Sequence, residues 1–337
     1  SSRPAPVAGS KPSRPWQVRL DDFRLQQGQI RFEQPATRRS GQAEQVAIVA
    51  SGNLPDLRAN VHITVGRLAW QQPGMAYSLD GLKIEAGYAA GASDPLILMV
   101  NTPESNLSVR GRVPLADPGQ EPLDLIAEVD LSLSELQPFM PVQFNPQGRL
   151  KGRLSANGPI ADPAATVQLD ITEGRLLDVP VQQLDVAARL DQRQVTIAHV
   201  RSHAEWGDLS LSGSMDLRPM FPENFKQPDS AGLPAYALTL QGSSLQPQKL
   251  PHIAFPWGGT WRIQADTTGQ GFDPSRAKAQ SRIQIYTADV RATDAPDAKP
   301  FDGEVIVDLT WADRVLTLND SRAGAGKSEL SARGSLD

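Results

Sequence analysis

The sequence predicts an all-β protein: an elongated, mostly antiparallel sheet made of repeated multi-strand units, with very little helix. Three observations carry this. Apolar and polar residues alternate with period two, the apolar runs are short and punctuated by Gly, Pro, Asp and Asn, and 28 prolines are spread evenly enough to leave few windows for three helical turns. Residues 123–134 show the pattern. Leu123, Leu125, Ala127, Val129, Leu131 and Leu133 are apolar, Asp124, Glu128, Asp130, Ser132 and Ser134 intervene, and Ile126 is the exception. Successive side chains of a strand point to opposite faces, so such a segment has one greasy face and one wet face.

Composition bounds the rest. A chain of 337 residues with 39% apolar residues and 27 glycines can bury a sizeable apolar interior and is not a disordered polymer. Lys plus Arg at 33 against Asp plus Glu at 38, with the signs interspersed, offers no basic stripe and argues against nucleic acid as a partner. Zero cysteines exclude disulfides, thiolate metal sites and a cysteine nucleophile. No run approaches 18 consecutive apolar residues, and Ser1 to Pro15 is rich in Ser, Pro and Arg without the apolar core of a signal peptide.

Taken in order, residues 1–15 read as an extended or disordered segment and 16–147 as a first β segment. Within it Leu57/Ala59/Val61/Ile63/Val65 and Leu107/Val109/Gly111/Val113 alternate, and Ser134 to Met140 has the N-cap of a single helical turn before Pro141. A second unit spans 148–217. Its window Val181 to Trp206 lacks Gly and Pro, yet the apolar positions alternate better than they follow a 3.6 period, which predicts two strands. Residues 218–235 form a Pro-rich connection, in which Arg218 to Pro234 is expected as an exposed loop, and 236–337 form a third unit. The units echo one another. Gly152-Arg-Leu-Ser-Ala-Asn-Gly158 followed by Asp162-Pro163 parallels Trp261-Arg-Ile-Gln-Ala-Asp-Thr267 followed by Asp273-Pro274. Each block closes alike, on Leu209 to Asp216 and on Leu330 to Asp337.

The alternation assigns one face of the repeat blocks to Leu150, Leu154, Val167, Leu169, Ile171, Leu184, Val186, Leu190, Val195, Ile197, Leu209, Leu211 and Met215. It continues through Leu238, Leu240, Ile263, Ile283, Ile285, Val305, Val307, Leu309, Leu316 and Leu318. Such a face must be covered by a second layer or by a ligand, and periodicity alone leaves both open.

The phrases Gly148-Arg-Leu-Lys-Gly-Arg-Leu-Ser-Ala-Asn-Gly-Pro-Ile-Ala-Asp-Pro163 and Gly174-Arg-Leu-Leu, with the closing strand-Gly-Ser-hydrophobe-Asp, resemble the repeats of the AsmA/TamB-like envelope proteins. Leu20 to Phe32 resembles the opening of such units, and Leu133-Ser-Glu-Leu-Gln-Pro-Phe139 their usual link. The resemblance covers most of residues 16–337. It implies a β-taco, a sheet folded lengthwise into an open groove, in the periplasm of a diderm bacterium, with an N-terminal inner-membrane anchor outside this sequence. It further implies that phospholipid passes along the groove between the inner and outer membranes, that the face residues above line it, and that an outer-membrane protein is a possible partner. The expectation is a non-enzyme without cofactor or metal. Two other classes stand beside it: a scaffold or chaperone that pairs its sheet edge with outer-membrane strands, and a structural or carbohydrate-binding β-protein with a closed core.

Catalytic and cofactor motifs mostly fail. Gly324-Ala-Gly326-Lys327-Ser328 imitates the end of a phosphate-binding loop, but Ser321 stands where the first Gly is needed and the following residues alternate as a strand. His199, His203 and Glu205 share a face only at spacings of about 13 Å, too long for one metal. Asp21 and Asp22, being adjacent, point to opposite faces and read as a turn. Trp16, Trp70, Trp206, Trp257, Trp261 and Trp311 fall near strand ends, where they either close the edge of a core or form a rim that meets lipid or a partner.

Overall fold

The computed structural model describes residues 19–34, 39–53, 57–73, 75–113, 122–139, 146–176, 179–250, 255–292, 297 and 299–336. The expectation for residues 1–15, and Trp16 with it, lies outside these. The first strands are β1 (Arg19–Gln34), β2 (Arg39–Asn53), β3 (Arg58–Gln72), β4 (Met75–Ala89), β5 (Leu96–Asn101), β6 (Asn106–Arg112) and β7 (Leu123–Ser132). A 3-10 helix at Leu133–Phe139 follows, then β8 (Gln147–Gly158), β9 (Ala164–Leu176), β10 (Val179–Asp191), β11 (Gln194–Ala204) and β12 (Gly207–Asp216). The chain ends with β13 (Ala235–Leu245), a short 3-10 helix at Pro247–Lys249, β14 (Trp257–Gln270), β15 (Lys278–Ala292), β16 (Phe301–Ala312), β17 (Val315–Ala325) and β18 (Ser328–Leu336).

The strands form one 18-stranded antiparallel sheet in which each strand hydrogen-bonds to the next in sequence. The sheet is not closed into a barrel. The ladder crosses both anticipated unit boundaries: Ser132 pairs with Arg149 across the 3-10 helix, and Asp216 pairs with Ala235 across the long connection. Turn chemistry is local. The hairpins at Gln192-Arg193 and Asp313-Arg314 hold both central residues at positive φ, 47° and 60° in the first and 52° and 67° in the second, as a turn matched to strand twist requires.

The accessible surface is 22184 Å², whereas a compact monomer of this mass exposes about 13,500 Å². A single layer explains the excess. Among the described residues the buried apolar side chains are few, Val46, Val65, Leu133, Val181, Ala204, Leu245, Ala277 and Val290 with Pro95, Pro146 and Pro234, and they are scattered along the sheet, so there is no closed core. Several of them flank bulges. Gln45, Glu173, Ser244 and Asp289 sit inside strands at φ between 51° and 55°, and the next residue in each case, Val46, Gly174, Leu245 or Val290, is buried. An extra residue bends its strand and sharpens the twist, and the bend folds the sheet over the following side chain.

The Val181 to Trp206 window is two strands, β10 and β11, and the helical turn is the 3-10 helix ending at Phe139. The 218–234 connection is a mostly exposed loop, as expected, but it is pinned to its neighbours at several points. Arg193 donates from Nη1 to the Phe221 and Pro222 carbonyls at 2.9 and 2.6 Å, the Phe225 amide donates to the Ala161 carbonyl at 2.9 Å, and Pro234 is buried. Its two phenylalanines, with ring centroids 5.0 Å apart, supply the apolar contact that a Pro-rich composition does not advertise.

Candidate functional site

Residues directly opposite each other in a ladder share a face, so the registers trace the apolar face strand by strand. Leu150, Gly152 and Leu154 of β8 face Ile171, Leu169 and Val167 of β9; these face Leu184, Val186 and Ala188 of β10. Leu190 continues the row to Val195 and Met215, while Val200 meets Leu211 and Leu240. Beyond β13, Ile263 meets Ile285 and Val305, Ile283 meets Val307, and Leu309 meets Leu318. Ile197 and Leu209 lie on this surface opposite Gly213 and Ser202, Leu238 opposite Gly213, and Leu316 opposite Trp311. Every residue assigned from alternation is therefore on one continuous surface, and every one is partly exposed.

The surface also runs through the first seven strands, where only part of it was legible. Leu131, Val129 and Ala127 meet Leu150, Gly152 and Leu154, and the rows pass on through Leu107, Val100, Ile84, Ile63, Ile48 and Leu25. In β1, β2 and β4, positive φ at Gln27, Gln45 and Gly81 shifts the parity, so the apolar positions change from odd to even within one strand. A strict period-two search loses the strand there. The signal that remains is apolar alternation on either side of a polar or Gly residue.

This face is free of charge except at its margin. Arg39, at the start of β2 and on the same side as Gly41 and its partner Phe32, is the exception; the other Asp, Glu, Lys, Arg and His residues of the described strands fall on the opposite face by register or sit at a bulge. The opposite face carries the pairs: His62 with Glu85 at 3.4 Å, Arg282 with Asp308 at 3.8 Å, and Arg149 with Asp130. The Arg149 guanidinium hydrogen-bonds Asp130 and holds its carboxyl below the usual range; Arg218 does the same to Asp216.

Two apolar hollows mark the face. One, of about 390 Å³, lies among Trp257, Trp261, Phe301, Val305 and Leu330, with Glu304 and Glu329 also in its wall; the other, of about 370 Å³, lies among Leu68, Trp70, Tyr77, Leu79 and Pro103, with Asp80, Glu104 and Glu135 also in its wall. Aromatic pairs brace them: Phe32 stacks on Trp70 at 6.0 Å, Phe255 meets Trp261 edge-on at 5.2 Å, and Trp257 meets Phe301 at 6.0 Å. In each hollow one indole N–H is buried without a hydrogen-bond partner, Trp261 Nε1 in the first and Trp70 Nε1 in the second. Beside the second hollow the Tyr77 hydroxyl donates to the Ser134 carbonyl at 3.1 Å, and burial pushes its pKa up.

Trp206 lies in the β11–β12 turn, and Trp311 donates from Nε1 to the Pro274 carbonyl at 3.2 Å. The phosphate-loop imitation is the β17–β18 hairpin, with Gly326 at φ 60°. His199 pairs with Asp185, and His203 with Asp208. Among the described residues no three His, Cys, Asp or Glu side chains gather as a metal site, and Asp21 and Asp22 pair with Arg19 and Arg24. Compared with protein-family models, curated proteins and solved structures, the chain matches none.

Proposed function

We propose that this chain is a segment of a periplasmic bridge whose apolar face carries phospholipid acyl chains between the inner and outer membranes. The observation that supports it most is the continuous apolar surface, with charge confined to its margins, left partly exposed by a sheet that has no second layer. A surface of this kind attracts an apolar occupant. At about 0.8 kcal/mol per buried methylene, a sixteen-carbon chain with half its length covered gains roughly 6 kcal/mol. Because that gain is spread over similar residues from strand to strand, no single position traps the chain, and movement along the face stays cheap.

The test is native mass spectrometry of the chain purified from a diderm periplasm, with photocrosslinking from positions 169 and 307. Phospholipid recovered at both positions is the expected result, and a folded, lipid-free chain would sink the reading.

A second reading, strand-edge assistance to outer-membrane barrel proteins, is favoured by β1 and β18. Among the described residues each pairs on one side alone, and neither contains Lys or Pro, the usual guards of an open edge. Crosslinks from Ser331 to barrel strands would support it, and crosslinks to lipid alone would remove it.

A further inference from the structure

A hollow of about 810 Å³ lies on the opposite, polar face, across β10 to β15, and is larger than either apolar hollow. Its floor is built by register. Asp185, Arg201, Ser210, Gln241 and Gln264 stand opposite one another in turn from β10 to β14. His203, Asp208 and Ser243 form a parallel row, and Arg262 stands opposite Tyr286. Four strand spacings of about 4.8 Å make the first row roughly 19 Å long.

The chemistry of the lining selects its ligand. Asp185 and Asp208 are engaged by His199 and His203, whereas Arg201 and Arg262 have no carboxylate within ion-pair distance among the described residues. Two guanidiniums and two carboxylates share the hollow, so with the histidines neutral its formal charge is zero. A sulfate or phosphodiester accepts hydrogen bonds and donates none, a phosphate near neutral pH has at most two O–H donors, and the charge of both aspartates would oppose any of these anions. A hydroxyl donates and accepts at once. Arginine donors, aspartate acceptors and the two-way groups of Gln241, Ser210 and Ser243 together match a ligand dense in hydroxyls. Tyr286, 41% exposed, adds a ring for the apolar side of a pyranose.

We propose that this hollow binds a neutral saccharide chain lying across the strands. Leu209 and Ile263 of the apolar face also contribute to the wall of this hollow, but the row of polar side chains that would hold the ligand falls on the other face by register, so the proposal does not depend on the lipid reading.

The experiment is an array of neutral, acidic and phosphorylated oligosaccharides, with the strongest ligand titrated by calorimetry against the parent and the Arg262→Ala, Tyr286→Ala and Leu211→Ala variants. A neutral oligosaccharide is expected to bind, at least tenfold more weakly to the first two variants and equally well to the third. The replaced polar side chains are exposed, so melting temperatures should match the parent. Gln241→Ala, also exposed, repeats the test should either variant melt early. No retained sugar, parent-like binding by the variants, or retention of phosphorylated sugars alone with displacement by inorganic phosphate would each overturn the proposal. Lipid recovery from Tyr286→Ala should equal that of the parent.

Discussion

Replacing Leu169 by Asp separates an open apolar face from a closed core. Leu169 is partly exposed, stands between Gly152 and Val186 in the ladder, and leans its Cδ2 over the Gly152 backbone, where an added Cβ would lie 2.4 Å away. Full burial of a leucine is worth roughly 1.5–3 kcal/mol, so the half-buried side chain contributes about 1 kcal/mol. The carboxylate keeps part of its hydration because nothing covers the face, and the total cost should stay near 2 kcal/mol, against 4 kcal/mol or more for an unpaired charge sealed in a core. At about 2–4 °C per kcal/mol for a large domain, the melting temperature should fall by roughly 4–8 °C. An acyl chain crossing that point must strip water from the carboxylate. A barrier of about 3 kcal/mol slows passage roughly a hundredfold. The assay is thermal unfolding followed by lipid photocrosslinking on each side of the substitution, at Val186 and at Leu154. Crosslinking lost with the fold intact is expected. A chain that no longer folds would refute the open face, and undiminished crosslinking on both sides would refute the path.

Binding of an apolar fluorescent probe to the β8 to β18 part of the face should be constant from pH 5 to 9, since no Asp, Glu, Lys or His side chain of these strands falls on that face by register outside the bulges; a titration in this range would place a charge there. Asp130, Asp216 and Asp273 all have folded pKa values below the ordinary 3.8, the first two through arginine hydrogen bonds and the third through the Ser275 amide. Their stabilisation is complete above that value and lost as the pH falls through the folded pKa. The melting temperature should therefore drop below about pH 4, and less steeply in Asp216→Asn. Gly111, at φ 133° with an added Cβ 1.9 Å from the Asp124 carbonyl oxygen, should not accept alanine: Gly111→Ala is expected to cost about 3 kcal/mol in urea unfolding, and an unchanged midpoint would contradict the geometry. At the bulge, Gln45→Gly should be near neutral because relief of the left-handed strain offsets the freedom gained by the unfolded chain, whereas Gln45→Val should cost about 2 kcal/mol. Equal stabilities for the pair would remove the bulge.

Where side-chain periodicity is uninterrupted, the sequence reads directly as structure. In the unbroken stretches of β8 to β18 most apolar residues at alternate positions meet apolar or small partners across the ladder, and Leu169 or Val307 could be placed on the face from the sequence alone, whereas the shift at Ile197/Val200 hides Val200. The first four strands were less legible. A glutamine in the left-handed region has no strong sequence signature, so the bulges at Gln27 and Gln45 hide the change of parity. The aromatic hollows were only hinted at, because Phe32 and Trp70 meet across three strands and Phe255 and Trp261 across a turn. The polar hollow on the other face was not foreseen. Its members are the ordinary wet side of each strand, and only the register brings Asp185, Arg201, Ser210, Gln241 and Gln264 into one line.

The strict neighbour-to-neighbour pairing has a mechanical consequence. Each strand is held by the one before and the one after, so stability propagates like a zipper and damage stays local. Pulling on the two ends should peel hairpins one after another in a sawtooth of similar forces, and a lesion in β4 should leave amide protection in β14 to β17 unchanged. A sheet made this way can be lengthened or shortened by whole hairpins without redesigning the rest.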